Sequence, residues 1–150
     1  MRKLFGLLIL IPFFCGKPKI PPVPSGASVS PYSEVEEPEK EKETVKKFQA
    51  TIETARLKGV IETSVFPSSQ EAKTYFMKIK PEKPVYQQKR KKRFVVVSET
   101  SVFVYSGKRV DVYIFYPEQN SFWKLNPVEK QKFSFAVLQF AKKLISSFSS

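Results

Sequence analysis

From Lys46 onward the chain is cut into short runs of β-branched and aromatic residues, with turn-forming residues about every ten positions. Residues 46–54, KKFQATIET, alternate, with Phe48, Ala50, Ile52 and Thr54 on one side. Residues 59–66, GVIETSVF, are β-branched. Residues 73–79, KTYFMKI, follow a Pro67-Ser68-Ser69 turn and read as a further strand, and 85–89 as a short one. Residues 94–98 and 101–106 flank a tight Glu99-Thr100 turn. After Ser106-Gly107-Lys108, residues 109–116 place Val110, Val112, Ile114 and Tyr116 on one side. Residues 121–125 read as a last short strand. Period-two alternation with this turn spacing specifies an antiparallel sheet, open or curled toward a barrel.

The end of the chain has a different period. Asn126-Pro127-Val128-Glu129 supplies an N-cap, a proline in the first turn and a glutamate three after the cap. Phe133, Val137, Phe140, Ala141, Leu144, Ile145 and Phe148 recur at helical spacing and form one apolar stripe. The expected fold is mainly β with a C-terminal helix over 127–148 (α+β). It is a curved antiparallel sheet or incomplete β-barrel covered by an amphipathic helix. Core packing of the stripe outweighs the alternative, a helix lying on a membrane.

The N-terminus is organised otherwise. Arg2 and Lys3 precede an apolar run from Leu4 to Phe14, closed by the only cysteine, Cys15. Spanning a bilayer takes roughly 20 apolar residues, about twice what this run offers. Residues 1–15 therefore read as an export signal peptide or a short membrane anchor. Cys15 is placed where a bacterial lipoprotein is cleaved and acylated, although Pro12, Phe13 and Phe14 stand where small residues are usual. Acylation of Cys15, ordinary secretion and an uncleaved anchor all stay open. Residues 16–43 hold a Pro-rich stretch and then the Glu-rich run 34–43, and read as a disordered tether. Residues 44–150 are the folded domain.

Composition narrows the chemistry. There is no histidine, and one cysteine allows no internal disulfide. The usual general base, the Ser-His and Cys-His pairs and the commonest zinc ligand are all missing. No catalytic residue, metal site or cofactor is assigned, and the expected function is not enzymatic. The net charge is +12, and residues 1–43 are balanced, so the surplus sits in the domain. The run Lys89, Arg90, Lys91, Lys92, Arg93 is its densest part. Export argues against nucleic acid as the partner. A solvated hairpin end or docking on an anionic membrane remain. The 14 Phe, 6 Tyr and 1 Trp fall largely in the strands. They fill an ordinary core or line a pocket between sheet and helix. Each buried methylene of an acyl chain in such a pocket contributes about 0.8 kcal/mol.

Three segments resemble the LolA/LolB-like lipoprotein carriers of the bacterial envelope. Lys47-Phe48-Gln49-Ala50-Thr51-Ile52-Glu53 is similar to that family's opening strand. Phe76-Met77-Lys78-Ile79-Lys80-Pro81 is similar to its strand ending in Lys-Arg-Pro, with Lys80 in place of the arginine. Residues 96–105, VVSETSVFVY, resemble its central hairpin, with Thr100 in place of a turn glycine. The resemblance covers about 46–125. It implies an incomplete antiparallel barrel closed by helices, with an apolar cavity for lipoprotein acyl chains. After Leu125 the chain has one helix where the family has more strands.

Together these readings give an exported, periplasmic, membrane-tethered domain that binds an acyl chain or lipoprotein. Its pocket would be lined by Phe76, Phe94, Phe103, Tyr105 and Phe115. Phe133, Val137, Phe140 and Leu144 of the helix would form the lid, and Lys80 would stand for the family's arginine. The alternative is an envelope interaction module that uses its basic face on anionic lipid, polysaccharide or a partner protein. A pocket between sheet and helix favours the first, and a filled interface favours the second.

Overall fold

Eight antiparallel strands form one open sheet, and a helix packs on each of its faces. The computed structural model describes residues 18–21, 23–35, 45–90, 92–118 and 121–148. In chain order the strands are β1 (Ser28–Val29), β2 (Ser33–Val35), β3 (Lys46–Glu53), β4 (Lys58–Val65), β5 (Tyr86–Arg90), β6 (Arg93–Val97), β7 (Ser101–Ser106) and β8 (Arg109–Tyr116). Helix α1 (Ser69–Ile79) lies between β4 and β5, and α2 (Pro127–Ser147) ends the fold. The sheet order is β1-β3-β4-β8-β7-β6-β5, with β2 also paired to β3.

The β5 to β8 segment is a meander whose last strand returns to pair with β4. Two turns set its register. Gly107 has φ 61°, the left-handed region that a two-residue hairpin demands. At the β6–β7 turn no glycine is needed. The Ser98 hydroxyl accepts from the N–H groups of Thr100 (3.3 Å) and Ser101 (3.0 Å). Gly59 has another role, since a Cβ there would lie 1.9 Å from the Ile114 carbonyl oxygen of the neighbouring β8. Only a residue without a side chain lets β4 and β8 pair at that point.

The structure differs from the sequence reading in three places. Residues 73–79 are not a strand but most of α1. Ser68 caps this helix by accepting from the Glu71 N–H at 3.2 Å, and Ala72 and Phe76 are fully buried. Ser-x-x-Glu before an apolar i, i+4 pair is a helix start. Residues 121–125 hold a 3-10 turn, Phe122–Lys124, instead of a strand. The third difference is residues 18–21 and 23–35, expected to be disordered tether. They form a strap that packs on the sheet and then runs back along β3 as β1 and β2. The strap reverses at Ser25-Gly26, where Gly26 has φ 92°. Pro21, Pro24 and Tyr32 are buried. Proline has no N–H to leave unpaired, so an extended Pro-rich segment can lie on an apolar face without a ladder. The Glu-rich part of the expected tether falls outside the described residues, apart from Glu34.

Both faces of the sheet carry a packed core, and on the α1 side the β3–β4 part stays open to solvent at Thr51 and Glu62. Beneath α2 lie Ile52, Leu57, Ile61, Val95, Val97, Val102, Val104, Tyr113 and Phe115. Beneath α1 lie Val96, Val110 and Val112, with Phe94, Phe103 and Tyr105 partly buried around them. Phe76 is the hub of the α1 side, with the Phe94 and Tyr105 rings each 5.5 Å away. Phe76→Ala should cost about 3–5 kcal/mol. Met77→Ala, half-exposed on the same helix, should stay within about 0.5 kcal/mol. Chemical denaturation of both variants checks the orientation of α1.

Candidate functional site

Helix α2 begins as its sequence specifies. The Asn126 side chain accepts from the Glu129 N–H at 2.8 Å, and Glu129 accepts in return from the Asn126 N–H at 3.3 Å. This fixes the stripe toward the sheet. Val137, Phe140 and Leu144 are buried, and Phe133 is partly so. Phe140 meets Tyr113 at 5.5 Å and Phe115 edge-on at 4.9 Å. The proposed lid residues thus occupy the space beneath the helix themselves. The five proposed pocket residues do not line one cavity. Phe115 faces α2, whereas Phe76, Phe94, Phe103 and Tyr105 pack together beneath α1. Lys80 ends α1 as its C-cap residue, and its N–H bonds the Phe76 carbonyl at 3.0 Å. Cys15 lies outside the described residues.

Open space is found instead at one end of the sheet, around the β3–β4 turn. A groove of about 910 Å³ runs between that turn and the first half of α2. Its apolar walls are Leu57, Tyr116, Leu125, Phe133, Phe135 and Ala136. A second groove of about 510 Å³ shares Thr54–Leu57, Phe135 and Ala136, and is closed on its other side by strap residues Pro24–Ala27. Phe135 stands between the two and is 54% exposed. Its exposure follows from helical geometry, since it points away from the stripe that holds Val137 and Phe140. Charges around the larger groove are mixed, with Glu53, Glu118 and Glu129 against Arg56, Lys58 and Lys132, and Lys58 pairs with Glu118 at 3.3 Å.

A buried polar cluster occupies the opposite end of the α2-side face. Asp111 is set among valines, and its Oδ2 and Oδ1 accept from Arg109 Nε at 3.0 and 3.2 Å. Thr63 donates to the same carboxylate, which leaves its oxygen to accept from the Tyr32 hydroxyl. Arg109 Nη2 donates to the Tyr32 oxygen at 3.1 Å and to the Lys19 carbonyl at 2.6 Å. Burial is the largest influence on Asp111 and pushes its carboxyl above the usual range, against the pull of Arg109 and Thr63. Burial is also the largest influence on Arg109 and would lower it, but the Asp111 charge, the hydrogen bond to Asp111 and the nearby Tyr32 and Tyr113 together raise it. Burial also raises Tyr32, and it raises Tyr113 well above the usual phenol value. Arg109 Nη2 and Thr63 tie the carboxylate to Tyr32 and Lys19, so the cluster acts as a clamp on the strap. Sequence reading passed over it. The signal was Asp111 two residues from Arg109 in an otherwise apolar strand, which puts both on one face.

The basic run divides along its hairpin. Lys89 and Lys92 are exposed. Arg90 donates to the Ile145 carbonyl at 3.3 Å, and the Arg93 guanidinium lies 4.4 Å over the Phe148 ring. These two arginines bind the C-terminal end of α2, where cations meet exposed carbonyls. Lys91 lies outside the described residues. Among the described residues no group of acidic or cysteine side chains is arranged to hold a metal, and no helix is long and apolar enough to cross a membrane.

Replacing Arg109 by Met leaves Asp111 buried and unpaired, at an expected cost of about 3–5 kcal/mol at neutral pH. Asp111 binds its proton more readily folded than unfolded. Stability from this group is therefore greatest below the ordinary carboxylate range and falls as pH rises to its folded value. Arg109→Met should widen that window, so the loss shrinks on acidification. Arg109→Met with Asp111→Leu should recover most of the neutral-pH stability. Denaturant melts between pH 4 and 8 check both.

No protein-family model, no curated protein and no solved structure matches this chain.

Proposed function

We propose that this chain is an exported, membrane-tethered, non-enzymatic binding module of the bacterial envelope. Its ligand is an acyl chain or an acylated polypeptide, taken at the surface groove between the β3–β4 turn and α2. The observation that carries this reading is Phe135, held half-exposed between two grooves with Leu57, Phe133 and Ala136 behind it. An acyl chain laid there gains affinity from methylene burial alone. The filled interface beneath α2 speaks against an interior lipid cavity of the kind the carrier resemblance implies. By the criterion set out above it favours the interaction-module alternative, so the acyl-binding reading is carried by the surface groove alone.

Full-length protein extracted from membranes is the material for the test. Native mass spectrometry should find copurified lipid or acylated peptide, and a fluorescent fatty acid should bind reversibly. Ala136→Trp, which fills the groove floor, should abolish binding. Phe135→Ala should weaken it by about five- to tenfold. No binding, or binding unchanged in both variants, would overturn the assignment.

A further inference from the structure

The smaller of the two grooves, about 510 Å³, has charge of one sign only. Its apolar floor is Leu57, Ala136 and Phe140, with Pro24 and Ala27 of the strap opposite. Among the described residues that line it, the charged side chains are Arg56 and Lys143, and no carboxylate is present. The acidic residues near the β3–β4 turn, Glu53, Glu118 and Glu129, line the larger groove instead, where Glu118 pairs with Lys58 at 3.3 Å. Glu99 stands at the β6–β7 turn, where its carbonyl accepts from the Ser134 hydroxyl at 3.1 Å, and lines neither groove. The Glu-rich run 34–43 leaves β2 and enters β3 at the end of the sheet away from this turn.

Local structure places both cations. The Thr54 hydroxyl accepts from the N–H groups of Arg56 (3.2 Å) and Leu57 (3.0 Å), and the Thr54 N–H bonds the Leu57 carbonyl at 2.8 Å. This closes the turn with Leu57 buried and Arg56 exposed beside it. On α2, Ala136, Gln139, Phe140 and Lys143 follow at i, i+3, i+4 and i+7, which is one helix face. Lys143 therefore belongs to the groove, whereas Lys142 lies over the Tyr86 ring at 5.4 Å. Neither Arg56 nor Lys143 has a carboxylate partner among the described residues.

An apolar trough with two unpaired cations and no acid is complementary to an amphiphile with an anionic end. An acyl chain joined to a polypeptide through an amide or ester carries no charge at its head, and a free fatty acid does. We propose that the smaller groove takes a free fatty acid, its chain laid on Leu57, Ala136 and Phe140 and its carboxylate drawn to Arg56 and Lys143. The inference rests on the acyl-binding reading above and chooses the free chain over the acylated polypeptide. The groove volume falls in the range of small-molecule sites. Both cations are exposed, so each contributes about two- to fivefold in affinity, and salt screens that part. Each fully buried methylene contributes about fourfold.

Calorimetric titration of the full chain with four probes tests this: dodecanoate, dodecanol, an N-dodecanoyl peptide amide and dodecanoyl lysophosphatidylglycerol. At low salt dodecanoate should bind most tightly, about tenfold better than dodecanol or the peptide amide. Arg56→Gln with Lys143→Gln should bring dodecanoate down to the level of dodecanol and leave dodecanol unchanged. High salt should act in the same direction. Lys142→Gln, on the Tyr86 side of the helix, should leave dodecanoate binding as it was. If the neutral probes bind as tightly as dodecanoate, or the double variant leaves dodecanoate unaffected, the free-acid assignment is overturned and the acyl-binding reading survives. If the lysophospholipid binds more tightly than dodecanoate and weakens in the double variant, the anion is a phosphate and the free-acid assignment is likewise overturned. If none of the four binds, both readings fall.

Discussion

The Arg109–Asp111 pair is the constraint on which the rest of the arrangement depends. A carboxylate in the middle of a valine-lined sheet is tolerated only with a partner and with its oxygens satisfied. Arg109 supplies the charge, and its remaining donors then need acceptors of their own. Those acceptors come from the N-terminal strap, as the Tyr32 hydroxyl and the Lys19 carbonyl. One buried charge thereby fixes where the chain enters the domain. It also decides which part of the α2-side face is covered by the strap and which by the helix. Because β8 is the strand that pairs β4 with the meander, the pair sits at the joint between the two halves of the sheet.

How much of this was legible varies by element. The strands from 46 to 116 follow from alternation and turns, and α2 follows from its cap and stripe. Helix α1 was hidden because Tyr75, Phe76 and Ile79 also suit a strand, and β-rich neighbours bias the reading. Ser68 and Glu71 were the evidence to the contrary. The strap was hidden because proline content argues for disorder when nothing in the sequence says that a face lies bare. Tyr32 docks because Thr63 and Arg109, far away in sequence, converge on it. No local pattern carries such a contact.

The pocket expectation failed on register, which was available. The two-residue turn at Gly107-Lys108 opposes Ser106 to Arg109, hence Phe103 to Val112 and Tyr105 to Val110. Opposed residues share a face. Phe103 and Tyr105 therefore share the side of Val110 and Val112, and Phe115, at odd spacing from these, must face the other way. Five aromatics that look like one cluster by composition are two cores on opposite sides of one sheet. The groove was less accessible to such reasoning, since it is made by a turn and a helix face that share no sequence signal.

The two ends of the sheet then carry different physics. The strands that join them, β4 and β8, are each eight residues long. Eight residues of strand span about 25 Å. The strap enters at the Arg109 clamp and reaches the groove only at Pro24–Ala27, so the groove is held about that far from the point where the described chain meets the sheet.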